Sequence, residues 1–286
     1  AYLMSTSNTL EILEFDSLKH LQDEIKRNDW VTENTIAEDD KWTFGRHFKT
    51  KDVHLQALNH GRSTPTLVTQ YKKVRAMLDR KLNVSKFNGM GLSCKRKRRF
   101  MDDGDEVDID RFLANSDNAW VTTKRKSKAR NIRIGINFGL SHANNEASFA
   151  RLVGAGAYLS DVLTKMGYST EIIGICYTAK PYDEGKTCVM IKFKRSGERL
   201  DVQRILSMGL TGLLRHEIFS VHYSYFGYRY SMGQQSDMTE EHRKQLKLDY
   251  VVEQAIVKDD KKLQDNFEKA IHDLVEKRDA KTWEWV

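Results

Sequence analysis

One stretch of the sequence restricts the fold more than any other: an apolar strand, a long amphipathic helix and a second apolar strand in succession. IRIGINF (132–138) precedes SFARLVGAGAYLSDVLTKMG (148–167), in which apolar residues recur at helical spacing and Gly167 ends the helix. TEIIGICYT (170–178) is again typical of a buried strand. A crossover of this length joins parallel strands, since hairpin-paired strands need only a short turn. The sequence therefore predicts an α/β core.

A third strand and a further helical segment continue this pattern. KTCVMIKFK (186–194) follows a turn marked by Pro181 and Gly185, and LDVQRILSMGLTGLLRHEIF (200–219) returns to helical spacing. The order β-α-β-β-α predicts an α/β fold with a partly parallel sheet and covering helices.

Helical patterns also flank the core, and they predict helical N- and C-terminal extensions. These segments are 9–31, 63–82 with Thr64 as its cap, 240–257 and 261–278. The chain then divides into a helical N-terminal region (1–84), a charged loop or hairpin excursion (85–130), the α/β core (131–236) and C-terminal helices (237–286).

Charge is segregated along the chain. The net charge is +7, but residues 61–100 carry 12 Lys or Arg against 1 Asp or Glu, and residues 101–123 carry 1 against 7. Such asymmetry is typical of a surface that faces a polyanion and is flanked by acidic segments.

Two short segments hold ten positive charges and are the predicted nucleic-acid contacts: Lys95, Arg96, Lys97, Arg98 and Arg99, with Lys124, Arg125, Lys126, Lys128 and Arg130. If the two segments flank one groove, even a few phosphate contacts give salt-sensitive affinity, because each contact releases counterions. The alternative is a solvated charge run without a partner.

An aromatic segment, FSVHYSYFGYRYS (219–231), adds Tyr228 and Arg229 as candidate stacking residues. Aromatic faces beside arginine are used to stack the bases of single-stranded nucleic acid. Such residues also commonly cover a sheet or fill a domain interface, so the segment only supports the prediction made from the basic residues.

From residue 131 onward the order of elements resembles that of a von Willebrand factor A-like domain. In that family the first strand ends in a D-x-S-x-S loop that coordinates a divalent ion, and the corresponding residues here read N-F-G-L-S, from Asn137 to Ser141. A hard cation needs at least one carboxylate, whereas Asn137 offers an amide oxygen and Gly139 offers no side chain. The resemblance implies a von Willebrand A-like or, more generally, Rossmann-like core, and the residues predict no metal.

The segment LVGAGAYLSDVLTKMGYSTEI (152–172) is also similar to uncharacterised phage proteins, which implies a phage origin. Gly154 and Gly156 form a lone G-x-G within this helix pattern. A dinucleotide fingerprint needs its glycines in the loop before the helix, so close packing of the helix on the sheet is the better interpretation. No cofactor is predicted.

No recognisable motif for catalysis is present, and no catalytic residue is predicted. RHEIFSVH (215–222) approaches the zinc-protease motif HExxH, but the second histidine would have to replace Ser220. His216, Glu217 and His222 are therefore interpreted as buried or surface polar residues. Cys176 and Cys188 lie in apolar strands, where cysteine usually behaves as a small hydrophobic residue.

Cysteine usage and hydropathy indicate the compartment. Three dispersed cysteines, with Cys94 as the third, are typical of a reducing environment. No apolar run approaches the about 18 residues of a membrane span, so a cytoplasmic protein without a membrane partner is predicted, in the host cell if the gene is carried by a phage.

These observations favour a phage-encoded accessory protein that binds DNA or RNA without turnover. Two alternatives stay open. One is a protein-binding adaptor, in which a von Willebrand A-like domain works with an ATPase or a polymerase of phage or host origin. The other is a nucleic-acid-processing enzyme whose acidic residues come together only in space.

Overall fold

The protein is built around a mixed β-sheet. The computed structural model describes residues 10–30, 51–81, 96–101, 106–107, 113, 120–125, 131–139, 146–179, 185–210, 212–227, 234–235 and 237–280. The strands within these ranges are β1 (Leu10–Phe15), β2 (Arg96–Met101), β3 (Glu106–Val107), β4 (Trp120–Arg125), β5 (Asn131–Asn137), β6 (Ser169–Ala179), β7 (Lys186–Lys194), β8 (Gln234–Gln235) and β9 (Tyr250–Val252).

Helices cover this sheet and connect its strands. They are α1 (Leu18–Arg27), α2 (Lys51–Asn59), α3 (Pro65–Lys81), α4 (Glu146–Lys165), α5 (Val202–Ser207), α6 (Phe219–Ser224), α7 (Glu240–Gln245), α8 (Gln254–Val257) and α9 (Asp260–Ala280). A π-helical segment, Leu213–Ile218, runs directly into α6.

The main sheet has the strand order β1-β7-β6-β5-β9, and β8 pairs with the end of β6. β5 is parallel to both β6 and β9, β7 is antiparallel to β6, and β1 is parallel to β7. A separate small sheet has the order β2-β4-β3. The predicted α/β class and the partly parallel sheet with covering helices are confirmed.

The β5-α4-β6 unit has the predicted form. Its strands pair from Asn131 and Ser169 to Asn137 and Ile175. The helix ends where Gly167 adopts a positive φ of 93°, which glycine tolerates because it has no Cβ. Sequence periodicity located this unit because both strands are almost fully buried and the helix has a continuous apolar face.

The two glycines of α4 serve close packing, on the sheet as predicted for Gly156 but on a helix for Gly154. A Cβ at Gly156 would lie 2.7 Å from Ile136 Cγ1 and closer still to Cδ1, and a Cβ at Gly154 would lie 3.3 Å from the Cα of Tyr71 on α3. Real Cβ atoms essentially never approach another atom within 3.0 Å. Gly156 therefore lets α4 approach β5, and Gly154 lets α3 approach α4.

Both faces of the sheet are covered. Ile172 and Cys176 of β6 belong to the large core beneath α4, whereas Ile173, Ile175 and Tyr177 belong to a smaller core. This alternation is the period of two expected of a strand buried on both sides. The smaller core also contains Leu246, Leu248 and Val251 from the C-terminal part of the chain.

The helix predicted over residues 9–31 is wrong in its first part, because residues 10–15 form strand β1. β1 pairs with β7 in parallel over six residues, from Leu10 beside Lys186 to Phe15 beside Ile191. The helix α1 begins only after Ser17, whose side chain accepts a hydrogen bond from the backbone N–H of His20. Pairing with a strand far away in sequence overrode a local helical pattern.

The helix predicted over 240–257 is also wrong in part. The chain leaves α7 through Lys247, which has a positive φ of 55°, and residues 250–252 pair with β5 as β9. Arg133 stabilises this arrangement: its backbone N–H donates to Asp249 Oδ2 at 2.8 Å and its guanidinium donates to the carbonyl of Leu246 at 3.2 Å. The short run Tyr250–Val252 carries too little periodicity to distinguish a strand from a helix.

Other predicted helices are confirmed. Thr64 caps α3 by accepting a hydrogen bond from the N–H of Leu67 at 3.2 Å. The C-terminal helix α9 buries Leu263, Phe267 and Ile271. The helix predicted over 200–219 is wrong as a single helix, because it is interrupted after α5 and resumes as the π-helical segment, which runs into α6 at Phe219.

The main sheet takes β1 and β9 from outside the predicted core of residues 131–236, whereas β2, β3 and β4 lie within the predicted excursion. The division into four regions stays a prediction.

Candidate functional site

The two basic segments meet in the small sheet. β2 runs antiparallel to β4, and Arg96–Arg99 pair with Thr122–Arg125. We name these eight residues the basic ribbon. Six of them are Lys or Arg and the other two are threonine, so the ribbon concentrates positive charge without an acidic residue.

The register of the basic ribbon aligns like charges. Arg96 is opposite Arg125, and Lys97 is opposite Lys124 at the next level. The two levels after these pair an arginine with a threonine. Like charges at directly opposite positions destabilise a strand pair, so a bound polyanion would stabilise this part of the sheet.

The other end of the small sheet is mainly apolar. Phe100 pairs with Val121, and Met101 pairs with Trp120. β3 pairs with β4 only at these two levels, where it places Val107 beside Trp120. Within the described residues, the basic part of the sheet therefore has two strands and the apolar part has three.

Half of the twelve predicted nucleic-acid-binding residues lie in the basic ribbon: Arg96, Lys97, Arg98, Arg99, Lys124 and Arg125. The other half lie outside the described residues: Lys95, Lys126, Lys128, Arg130, Tyr228 and Arg229. The structure thus brings six predicted residues together on adjacent strands. That they bind nucleic acid stays a prediction.

The described part of the aromatic segment packs against the protein. Phe226 lies with its ring centroid 5.3 Å from that of His222 and 5.0 Å from that of Tyr225. Tyr225 in turn contacts Trp30 edge-on, with the centroids 5.8 Å apart. Tyr223 and Tyr225 are nevertheless 38% and 53% exposed, so base stacking by this segment stays a prediction.

A second polar site lies at the carboxyl ends of the parallel strands, where ligands of open α/β sheets commonly bind. Asn137 ends β5 and is 2% exposed. Its Oδ1 accepts hydrogen bonds from the backbone N–H groups of Gly139 and Tyr177, both at 3.3 Å. A carbonyl oxygen has two lone pairs, and both are used here. Asn137 therefore fixes the loop after β5.

Glu253 brings a carboxyl group to the same place from the end of β9. It accepts a hydrogen bond from Asn137, and its Oε1 accepts one from the backbone N–H of Met238 at 2.7 Å. Burial, with a smaller contribution from the nearby Asp237, raises the pKa of Glu253 to about 7. We name Asn137, Met238 and Glu253 the strand-end latch, because they join the ends of β5 and β9 to the segment before α7.

Sequence reasoning did not identify this site. It considered Asn137 only as a metal ligand and predicted no metal there, and Glu253 lies at the end of a strand, β9, that was predicted to be part of a helix. The available signal was the run YVVE (250–253), which can be assigned as a short strand followed by an acidic residue.

A buried hydrogen bond supports the latch from the side of α7. Tyr177 Oη lies 2.8 Å from His242 Nδ1, and both residues are buried. Burial raises the pKa of Tyr177 to about 12. The phenol therefore stays protonated at neutral pH and positions α7 over the end of β6.

The π-helical segment buries three consecutive ionisable residues, Arg215, His216 and Glu217. His216 Nδ1 lies 3.3 Å from Glu217 Oε1. His54 packs beside the start of this segment, against Gly212, and burial lowers the pKa of His54 to about 4. Burial of His216, Glu217 and His222 confirms that they are core polar residues.

Cys176 and Cys188 are fully buried, as predicted for cysteines in apolar strands. Burial raises the pKa of Cys176 to about 12, and it raises the pKa of Cys188 well above its ordinary value. Neither thiol is suited to act as a nucleophile.

A cleft of about 540 Å³ lies between α1, the end of α2, β7 and α5. Several of its charged residues are engaged with neighbours. Lys192 Nζ lies 3.1 Å from Glu14 Oε1 and 2.7 Å from Asp16 Oδ1. Asp201 Oδ1 accepts a hydrogen bond from the N–H of Arg204 at 3.1 Å. Lys192 is therefore paired with two carboxylates, and Asp201 caps α5.

Two kinds of feature are absent from the described residues. No helix among the described residues is long and apolar enough to cross a membrane. Over the same residues, no group of three or more His, Cys, Asp or Glu side chains is placed to hold a metal ion.

A search of curated proteins found no match, and neither did a search of solved structures. One family model matches residues 6–279, so the chain belongs to the family described as a domain of unknown function, DUF7192.

Proposed function

We propose that the protein binds DNA or RNA through the basic ribbon and acts as an accessory factor without turnover. The single observation that carries this proposal is the register that pairs Arg96 with Arg125 and Lys97 with Lys124. Two segments that are dense in positive charge but separated in sequence become adjacent strands.

Electrostatics gives this arrangement a reason. Four cations occupy two successive levels of a strand pair, and their mutual repulsion opposes pairing. Phosphate oxygens between them would offset that repulsion, and the counterions released from the nucleic acid would add to the affinity. Lys95, Lys126, Lys128 and Arg130 extend the same segments in sequence and are proposed to add phosphate contacts.

In this proposal the strand-end latch has a structural role. Both lone pairs of the Asn137 oxygen accept backbone hydrogen bonds, and the Glu253 carboxyl group is held by two donors. These contacts stabilise the loop ends, and the basic ribbon is the proposed contact with a partner.

The test is a mobility-shift series on single- and double-stranded probes at increasing salt, with and without Mg²⁺. The variant replaces all ten Lys and Arg residues of the two basic segments by alanine. Wild-type binding should weaken steeply with salt, because log K falls by about 0.9 per phosphate contact for each tenfold rise in salt. The ten-residue variant should lose most of its affinity.

A matched pair of variants separates the ribbon from general surface charge. Lys97→Thr/Lys124→Thr removes two charges from the basic ribbon, whereas Lys72→Thr/Lys73→Thr removes two from the exposed side of α3. The ribbon variant should reduce the salt slope by about 2 and the α3 variant should leave it unchanged. Unchanged binding by the ten-residue variant rejects the proposal, and Mg²⁺-dependent cleavage of a probe favours the enzyme alternative.

The core's relation to von Willebrand A-like domains and the phage origin of the gene are also proposals. The element order β5-α4-β6-β7 supports the first, since it is the order on which the resemblance rests. The second is supported by the sequence of residues 152–172 alone.

A further inference from the structure

The cleft between α1, the end of α2, β7 and α5 has the size and the composition of a ligand site. Its volume of about 540 Å³ lies within the range of about 300 to 1,000 Å³ that is usual for small-molecule sites. Leu58 and Phe193, which are 1% and 2% exposed, contribute apolar surface to it. Most of the other lining residues are polar or charged. The cleft therefore offers both apolar and polar contacts to one ligand.

Contacts within the protein hold the walls of the cleft in place. Gly61, in the turn between α2 and α3, has a positive φ of 59°, and a Cβ there would lie 3.2 Å from both the Cα and the Cβ of Arg204. The missing side chain thus lets this turn approach α5 closely. In the same turn, Ser63 Oγ donates a hydrogen bond to Gln203 Oε1 on α5, and Leu21 anchors α1 in the core. A site that is formed before its ligand arrives loses less free energy on binding.

Two cationic side chains of the lining are available to a ligand. Lys19 on α1 and Arg204 on α5 are exposed, and within the described residues their side chains make no hydrogen bond or ion pair. Lys192, in contrast, is paired with Glu14 and Asp16. Cations that the protein itself does not compensate attract an anionic ligand.

The acids of the lining differ in their availability. Asp201 Oδ1 accepts the N–H of Arg204 at 3.1 Å as the cap of α5. Asp23 makes no hydrogen bond or ion pair with any described residue, and Gln22 and Asn59 add two amide groups to the same lining. Carboxylate and amide oxygens accept hydrogen bonds from hydroxyl groups. The cleft thus offers partners for an anionic group and for hydroxyl groups.

The N-terminus of α1 adds donors to this cleft. The side chain of Ser17 accepts the N–H of His20, whereas the N–H groups of Leu18 and Lys19 have no acceptor among the described residues. Ser17, Leu18 and Lys19 all line the cleft. N–H groups at the start of a helix favour phosphate and other anions, so they would add to the attraction that the two cationic side chains exert.

We propose that this cleft binds a small phosphate ester whose organic part carries hydroxyl groups, such as a sugar phosphate or a nucleoside monophosphate. The phosphate group lies between Lys19 and Arg204, and the hydroxyl groups face Asp23, Gln22 and Asn59. A phosphate dianion matches the charge of the two available cations, and its three acceptor oxygens can serve more donors than the two oxygens of a carboxylate. The described lining includes no residue of the basic ribbon, so this inference does not depend on the proposed nucleic-acid binding.

Isothermal titration calorimetry of the full chain tests the class of ligand. Ribose 5-phosphate and adenosine monophosphate should bind at least about tenfold more tightly than inorganic phosphate, which lacks the hydroxyl contacts, or succinate, which lacks the phosphate group. Ribose should show no binding at the same concentrations. Equal affinity for the two esters would identify the sugar phosphate as the recognised part, and tighter binding of adenosine monophosphate would identify a nucleotide.

Single substitutions test the position of the phosphate. Lys19→Ala and Arg204→Ala should each weaken the binding of ribose 5-phosphate by about tenfold or more, because each removes a charged hydrogen-bond donor. The matched controls Lys26→Ala on α1 and Arg199→Ala before α5 remove the same charges at exposed positions outside the cleft and should leave the affinity unchanged. Circular dichroism and thermal unfolding check that all four variants fold like the wild type.

Two more variants test the charge preference and the location of the site. Asp23→Asn keeps an acceptor for a hydroxyl group and removes a negative charge, so phosphate esters should bind it as tightly as the wild type or more tightly. Lys97→Thr/Lys124→Thr, in the basic ribbon, should have no effect on the binding of ribose 5-phosphate.

Four results would overturn the proposal: no binding of either phosphate ester by the wild type, unchanged affinity in both Lys19→Ala and Arg204→Ala, an equal loss in their matched controls, or a loss of about tenfold in Asp23→Asn or in the ribbon variant. None of these results bears on nucleic-acid binding by the basic ribbon, which the mobility-shift series tests separately.

Discussion

Replacing Glu253 by glutamine should make the stability of the protein less sensitive to rising pH. In the folded protein burial raises the pKa of this carboxyl group from its ordinary value of 4.5 to about 7. Folding therefore disfavours the ionised form. Below pH 4.5 the carboxyl group is neutral in both the folded and the unfolded state, so it does not make stability depend on pH. Between about pH 4.5 and 7 wild-type stability falls, because the unfolded chain releases the proton more readily than the folded protein does.

The size of the effect follows from the difference in pKa. At about 1.4 kcal/mol for each unit of pKa, the difference between 4.5 and about 7 corresponds to about 3 kcal/mol of unfolding free energy. Because the group is only half-buried, contact with solvent reduces this value to about 2 kcal/mol. Glutamine has nearly the same shape and keeps an acceptor for the Met238 N–H. The variant should therefore be close to the wild type at pH 4.5 and more stable by about 2 to 3 kcal/mol at pH 8.

The assay is urea unfolding, followed by far-ultraviolet circular dichroism at several pH values between 4.5 and 8. His54 and His222, whose pKa values are lowered by burial to about 4 and about 3, destabilise both proteins as pH falls below 6.5 and cancel in the difference. Asp265→Asn, at an exposed position of α9, controls for the loss of a surface charge. A difference between variant and wild type that is constant with pH, or that decreases as pH rises, would refute the role given to Glu253.

Three further predictions concern the core. Gly156→Ala should destabilise the protein by about 1 to 3 kcal/mol through overpacking, and by more than Gly154→Ala, because only the Cβ at 156 would come within 3.0 Å of another atom. Ile136→Val should recover part of that loss in a double-mutant cycle of urea unfolding. Tyr177→Phe should cost about 1 to 3 kcal/mol by leaving buried His242 without its 2.8 Å partner, measured in the same way. In a Cys94→Ser background, Cys176 and Cys188 should not react with a thiol reagent at pH 8 in the native state, and both should react in guanidinium chloride.

The sequence was sufficient where the structure is locally determined. Strands β5, β6 and β7 are continuous apolar runs, and α4 repeats apolar residues at helical spacing, so each could be located without knowledge of its partners. The capping of α3 by Thr64 and the packing role of Gly156 follow from the same kind of local chemistry.

It was insufficient where a distant partner determines the structure. Residues 10–15 follow a helical pattern and residues 250–252 are too few to show a period. Both segments become strands because they pair with the edges of β7 and β5. The strand-end latch depends on β9 and was therefore missed. For the basic ribbon, composition identified the charges, but only the pairing of β2 with β4 showed how they are aligned.

The position of β9 also affects how this chain can be synthesised and divided. β5 emerges from the ribosome long before Tyr250–Val252, and until then one of its edges has no partner from β9. A fragment restricted to residues 131–236 would leave unpaired both the β5 edge and the β7 edge that β1 covers. Open, largely apolar edges recruit other chains, so expression trials of this family should keep both outer strands in a single polypeptide.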